Sequence, residues 1–268
     1  MPVPSVEDLE QARTRWRGAV AEVLAKSSRR DPAELPAEPE RLLESATYDG
    51  FAIRALYTAL DALPEAPLPG DWPFVRGADR RRDVLAGWKV AEEFPAPGFS
   101  GSAADGNAAL LDALVEGVSA LVLRVGDNGV PAGELDRWLE GVYLDLAPVL
   151  LDAGAEFRAG ADALVTLVAG ADEARRAQMS VDLGADPLTA PLIGRPAAAV
   201  EDVVAVAARL AGKPGVRAIT VDGSAFHDRG ASSGWELAGV IAAATDYLRI
   251  LTDAGIGIGE ALGQISFR

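Results

Sequence analysis

One histidine, His227, stands in this chain of 268 residues. It lies in the polar run Asp222-Gly223-Ser224-Ala225-Phe226-His227-Asp228-Arg229-Gly230, between an apolar stretch and a long amphipathic one. An imidazole is the side chain best matched to acid–base work near neutral pH. The bland reading, a loop histidine with a structural hydrogen bond or open to solvent, is favoured over a catalytic one. Asp222, His227 and Asp228 admit a metal reading too, but one imidazole among scattered carboxylates is ordinary in polar loops, and no metal is assigned. Cysteine is absent, which excludes disulfides, thiolate nucleophiles and cysteine-ligated zinc. Arg80-Arg81-Arg82 gathers three guanidinium groups able to hold carboxylate or phosphate. Asp79 and Asp83 flank it, so a solvated, self-neutralised run is the favoured reading. Gly255-Ile256-Gly257-Ile258-Gly259-Glu260 superficially matches a phosphate loop, but it follows a helical segment and lacks the Lys-Ser/Thr that such loops need. Gly255 as a helix stop explains it better.

Composition narrows the classes. Hydrophobic residues make up 49% and charged residues 24%, the balance of a globular chain with a real core. A formal net charge of −15 argues against a general nucleic-acid binder, which needs a basic face. No run approaches the ~18 apolar residues that cross a bilayer. The start, Met1-Pro2-Val3-Pro4-Ser5-Val6-Glu7-Asp8, lacks a basic region followed by an apolar core, so no secretory signal is read there. A cytoplasmic protein, with no nucleic-acid or membrane partner, is expected.

The elements that position these residues follow from periodicity. Residues 5–26 read as a helix with Ser5 as N-cap. Residues 27–41 read as a linker or extended arm, 48–56 as a short strand and 64–77 as a proline-rich loop. Everything before about residue 85 looks like an N-terminal arm, leaving 86–268 as the main body. There a βα rhythm begins, with helices expected near 107–116, 131–139, 147–170, 200–210 and 232–254. Strands are expected at 120–125, 142–146, 177–183, 216–221 and 262–268. Such alternation implies a parallel sheet, with a TIM (β/α)8-type barrel in the lead. Only about five clear βα strands are counted, so the barrel is expected to be incomplete and the chain a piece of a longer protein; an open doubly wound sheet stays as the alternative.

Two blocks carry a resemblance. Thr47-Tyr48-Asp49-Gly50-Phe51-Ala52-Ile53-Arg54-Ala55-Leu56-Tyr57-Thr58, followed by Pro69-Gly70-Asp71-Trp72-Pro73-Phe74-Val75-Arg76-Gly77, resembles the arm of the methylmalonyl-CoA mutase family, where a Pro-Gly-x-x-Pro-Phe-x-Arg-Gly run precedes the barrel. The His227 segment is similar to the family's Gly-Tyr-His-x-x-x-Gly-Ala run. The resemblance implies interconversion of methylmalonyl-CoA and succinyl-CoA by a radical rearrangement with adenosylcobalamin. It also implies a barrel that threads the CoA arm through its centre, and a separate domain supplying a cobalt-ligating histidine within Asp-x-His-x-x-Gly. Ala225 stands two before His227, so this chain carries no such ligand.

Departures from the family pattern are equally informative. Trp88 keeps the family spacing from Gly77. Asp79 and Glu93 occupy positions where catalytic members carry Tyr, and Ala86 and Ala91 replace Arg. Val181-Asp182-Leu183-Gly184 replaces a Gln-Asn-Asp-type stretch, and Phe226 stands for Tyr. Glutamate would repel a carboxylated acyl group, and alanine cannot pair with carboxylate or phosphate. These losses together point to the non-catalytic small subunit of a heterodimeric mutase, an isomerase component inactive alone. Its partner would be a homologous large catalytic subunit that holds the adenosylcobalamin and gives the complex its CoA esters. Arg76, Trp88 and a vestigial His227 are the residual substrate-binding candidates. The alternative is an active acyl-CoA mutase of altered specificity, with Glu93 and the arginine run recognising a different acyl group.

Overall fold

Ser5 opens the first helix, α1 (Val6–Ser28), through a reciprocal cap: its hydroxyl accepts from the Asp8 N–H while the Asp8 carboxylate accepts from the Ser5 N–H. The computed structural model describes residues 5–29, 31–80, 87–127 and 129–268. Arg81, Arg82, Asp83 and Ala86, and with them the boundary read near residue 85, lie outside the described residues, as do Met1 to Pro4. Two compact units emerge, Met1–Ala86 and Gly87–Arg268.

In the first unit, α1 is followed by short 3-10 turns at Pro32–Glu34, Pro39–Leu43 and Ala59–Asp61 and by a small antiparallel hairpin, β1 (Ser45–Ala46) with β2 (Ala52–Ile53). The expected strand over 48–56 is thus a hairpin. Tyr48 and Asp49 lie in its turn, where Gly50 takes a φ of 84° that a side chain would disfavour. Among the described residues of this unit only Ala25 and Pro39 are buried. Ion pairs take the place of an apolar core: Arg17 with Glu38 and Glu40, Arg41 with Glu38, and Arg54 with Asp61 at 2.9 Å. Tyr48, 96% exposed, Phe51, Leu63 and Trp72 lie open to solvent.

The second unit alternates strictly. Its elements are β3 (Ala91–Phe94), α2 (Ala103–Glu116), β4 (Ala120–Arg124), α3 (Leu135–Trp138), β5 (Val149–Asp152), α4 (Phe157–Ala169), α5 (Glu173–Arg176), β6 (Val181–Ala185), α6 (Val200–Leu210), β7 (Val216–Val221), α7 (Ser224–His227), α8 (Ser233–Asp253), α9 (Ile258–Leu262) and β8 (Ile265–Phe267). Strands β3 to β8 form one parallel sheet in which every strand pairs with its successor. A doubly wound sheet would reverse its order at a switch point. Unbroken succession is the order of a TIM-type barrel, of which this unit contributes six strands.

The two faces of the sheet differ sharply. Phe94, Leu121, Leu123, Val149, Leu151, Val181 and Leu183 are buried in the core shared with Leu110, Phe157, Leu164 and Leu210 of the helices. Each such side chain contributes about 1.5–3 kcal/mol by leaving water, so this face drives folding. Across the other face runs the paired row Glu93, Val122, Leu150, Asp182 and Arg217, with the pair Arg124 and Asp152 one layer on. That face is mostly charged, whereas a closed barrel ordinarily fills it with branched apolar side chains.

Several boundaries depart from the sequence reading. No strand forms at 142–146; that stretch is turn, and the strand comes after Pro148, inside what reads as helix over 147–170. Its apolar run, Val149 to Leu151, is too short for periodicity to decide between helix and strand. The strand expected at 177–183 begins at Val181, because Asp172 caps the short helix α5 just before it. Strand β3, Ala-Glu-Glu-Phe, carries little strand propensity of its own and is set by pairing with β4. Helix α2 starts four residues before 107, at the Ser102–Asp105 capping box.

Candidate functional site

Aspartates mark the carboxyl ends of three successive strands: Asp152 ends β5, Asp186 follows β6 and Asp222 follows β7. Between Asp182 and Ala185 the β6–β7 register shifts, with Gly184 at φ 73°. A Cβ there would strike the Leu151 carbonyl oxygen, so only glycine lets β6 bend in this way. From the loop between β6 and α6, Arg195 donates to Asp222 at 3.2 Å and to Asp152, spanning the end of β6. Asp222 also accepts from the Ser224 N–H at 2.9 Å.

Asp186 is buried, and four donors converge on it. They are the backbone N–H groups of Thr189 and Asp222, the Thr189 hydroxyl, and the Tyr247 hydroxyl of α8 at 2.6 Å. The Tyr247 oxygen in turn accepts from the Leu188 N–H at 2.9 Å. Burial, and then the negative charge of Asp186, push the Tyr247 phenol far above its ordinary pKa. Nearer β3, Arg124 pairs with Glu93. Deeper on the same face Arg217 bridges both Asp182 oxygens at 2.6 and 3.1 Å and reaches Ser180, and the hydrogen bond to Asp182 raises the guanidinium's pKa. The cavity left beneath Arg195, bounded by Leu150, Gly184 and Thr220, measures about 40 Å³. That volume is an order of magnitude below the roughly 300–1,000 Å³ of ordinary ligand pockets.

Within the second unit, the sequence candidates Trp88 and His227 are not brought together. His227 ends the single-turn helix α7, 72% exposed, its Nδ1 3.3 Å from Glu236 Oε2. Trp88, 92% exposed, precedes β3 at the amino end of the sheet. His227 lies past the carboxyl end of β7, four strand steps or roughly 19 Å across. Arg76 belongs to the first unit, exposed on a loop closed by Gly70 N–H to Gly77 O (2.8 Å) and by the Arg80–Asp71 pair. Of the carboxyl-end cluster only Asp222 drew notice in the sequence. The available signal was an aspartate at each strand end; Arg195 and Tyr247 arrive from distant segments and carry no local mark.

A family model described as methylmalonyl-CoA mutase matches residues 122–268, from within β4 through β8. The chain belongs to the methylmalonyl-CoA mutase family. Among its relatives, the probable methylmalonyl-CoA mutase small subunit of Mycobacterium tuberculosis strain H37Rv is 61% identical over 266 residues, which is 99% of this chain and 43% of the relative. The methylmalonyl-CoA mutase small subunit of Streptomyces virginiae is 40% identical over 256 residues, 95% of this chain and 40% of the relative. That of Propionibacterium freudenreichii subsp. shermanii is 30% identical over 259 residues, 95% of this chain and 39% of the relative. The chain therefore spans about two fifths of the length of these curated relatives.

Set against the cofactor of the mutase family, the residues present do not fit. The one imidazole is exposed and turned to Glu236, and Ala225 stands where the family's cobalt-binding motif needs an aspartate. No corrin-sized space opens at the strand ends around Arg195. At this mouth Arg124 and Arg195 already hold carboxylates of the chain itself. No described helix is long and apolar enough to cross a membrane.

Proposed function

We propose that the chain is part of the small, non-catalytic subunit of an adenosylcobalamin-dependent methylmalonyl-CoA mutase. It pairs with a homologous large subunit that holds the cofactor and converts methylmalonyl-CoA to succinyl-CoA. The observation that carries this reading is the internal pairing of the mouth: Arg124 with Glu93, and Arg195 with Asp152 and Asp222. A guanidinium committed to its own chain cannot also anchor a substrate carboxylate or phosphate without abandoning that partner.

The first unit supplies the pairing surface in this reading. With almost nothing buried and with Tyr48, Phe51, Leu63 and Trp72 exposed, it gains apolar burial by wrapping a protein partner. The names of the relatives, each a small subunit, accord with a larger companion.

The test is affinity capture of the protein expressed from its own gene, with mass spectrometry of what comes with it and a mutase assay with and without adenosylcobalamin. A larger homologue bearing Asp-x-His-x-x-Gly, with turnover only in the complex, is expected. Cofactor-dependent turnover by the captured protein alone would overturn the proposal and favour the active-mutase alternative.

A further inference from the structure

We infer that Arg195 is a conformational latch, holding the loop from Asp186 to Ala199 across the carboxyl ends of β5 to β7 by binding Asp152 and Asp222 at once. The inference rests on the non-catalytic reading and says how these strand ends are held together. Asp152 ends β5 and Asp222 directly follows β7, on either side of β6, so one guanidinium ties together strand ends roughly 9–10 Å apart. A surface ion pair between neighbours would not do this.

The same loop is fastened at other points: Leu188 N–H to Tyr247, Thr189 to Asp186, and Arg229 to the Leu192 carbonyl. Beside the latch, Gly154 leaves only enough room for the Pro196 carbonyl, 3.1 Å from where a Cβ would stand. The floor under the loop is Gly184, with no side chain, and Thr220, whose hydroxyl shares a hydrogen bond with Ser266 at 2.9 Å.

Removing the guanidinium unties the loop from both strand ends and leaves Asp152 and Asp222, the latter nearly enclosed, without their shared cation, so the loop opens more readily. Arg195→Ala in the otherwise unchanged chain is then expected to speed amide hydrogen exchange over 186–199 by about tenfold while β5 and β7 keep their protection. Guanidinium chloride at about 20 mM should restore the slow exchange by occupying the vacated place, whereas equimolar sodium chloride should not. The double variant Arg195→Ala/Asp222→Asn should lose that rescue. Should Arg195→Ala fail to fold, Arg195→Lys keeps the charge but not the two-armed geometry, and the same faster exchange is expected of it. Exchange unchanged in whichever variant folds, or rescue by both salts alike, would overturn the latch. Titrating methylmalonyl-CoA into the unsubstituted chain separates the two claims. Binding there would sink the non-catalytic reading even if guanidinium rescue holds, and failed rescue without binding would sink the latch alone.

Discussion

Tyr247→Phe removes one oxygen from the clasp beneath the mouth and leaves the ring in place. The ring is 1% exposed, and phenylalanine fills the same volume, so packing is nearly conserved. Two hydrogen bonds go: the phenol's donation to Asp186 at 2.6 Å and its acceptance from Leu188 N–H at 2.9 Å. A hydrogen bond to a charged group is worth about 1.5–3 kcal/mol, and an orphaned buried donor costs about 1–3. Asp186 keeps three other donors, which softens the first loss. A net destabilisation of about 2–4 kcal/mol at pH 7 is expected by urea unfolding.

Alkaline pH sharpens the test. Because the folded phenol's pKa lies above its unfolded value, the folded chain keeps a proton that the unfolded chain releases near pH ~10. Stability from this group is complete below that pH and falls by about 1.4 kcal/mol per unit above it, in the parent and not in the variant. The stability gap between the two proteins must therefore narrow between pH 10 and 11. In the parent, absorbance titration should show the Tyr247 phenol ionising only as the chain unfolds. A gap that stays constant to pH 11, or a variant as stable as the parent at pH 7, would refute the clasp.

Gly184→Ala should cost more than the ~1 kcal/mol of an ordinary left-handed glycine, because its Cβ meets the fixed Leu151 carbonyl; a denaturation midpoint matching the parent's would show that the bend in β6 is not needed. Asp162 of α4 is held below the usual carboxylate range, chiefly by its hydrogen bond from Arg209 and then by Arg158. Its contribution is present above its unfolded pKa and is lost as pH falls through the folded one, so Asp162→Asn should flatten the acid limb of the stability curve. Deleting residues 5–57 should abolish pairing with the larger homologue in size-exclusion chromatography, and assembly at the parent's level would remove the arm from the interface.

How much was legible follows the physics of each element. Val200–Leu210 and Val216–Val221 read correctly to the residue, since one has an unbroken 3.6-residue apolar stripe ended by Gly212 and the other is a long branched-chain run. Val149–Asp152 did not, because three apolar residues and an aspartate fit either element, and β3 escaped notice because two glutamates hide it. Barrel-type succession could be expected from the alternation, but the pairing of each strand with its neighbour is a tertiary fact. In the site, the aspartates stand where strand ends put them. Arg195 reaches Asp152 across 43 residues and Tyr247 reaches Asp186 across 61, separations at which local spacing carries no signal.

Charge at the mouth bears on function whatever completes the barrel. The polar face and strand ends gather four guanidinium groups, Arg124, Arg195, Arg217 and Arg268, against five carboxyl groups, Glu93, Asp152, Asp182, Asp186 and Asp222. The balance is negative, on a chain already carrying −15. A CoA ester brings phosphates, and a methylmalonyl group adds a carboxylate. Each would enter a region where Arg124, Arg195 and Arg217 are already paired and whose surplus negative charge repels it, in a setting where partial burial strengthens the repulsion. Opening the latch alone would therefore not create an acyl-CoA site, since it removes a cation and deepens the negative field. Restoring substrate binding would require freeing Arg124 as well, by replacing Glu93 with a neutral residue. On the proposed non-catalytic reading, the ion-paired strand ends and the acidic face would act against an acyl-CoA through separate residues, and a single substitution is not expected to make the chain bind one.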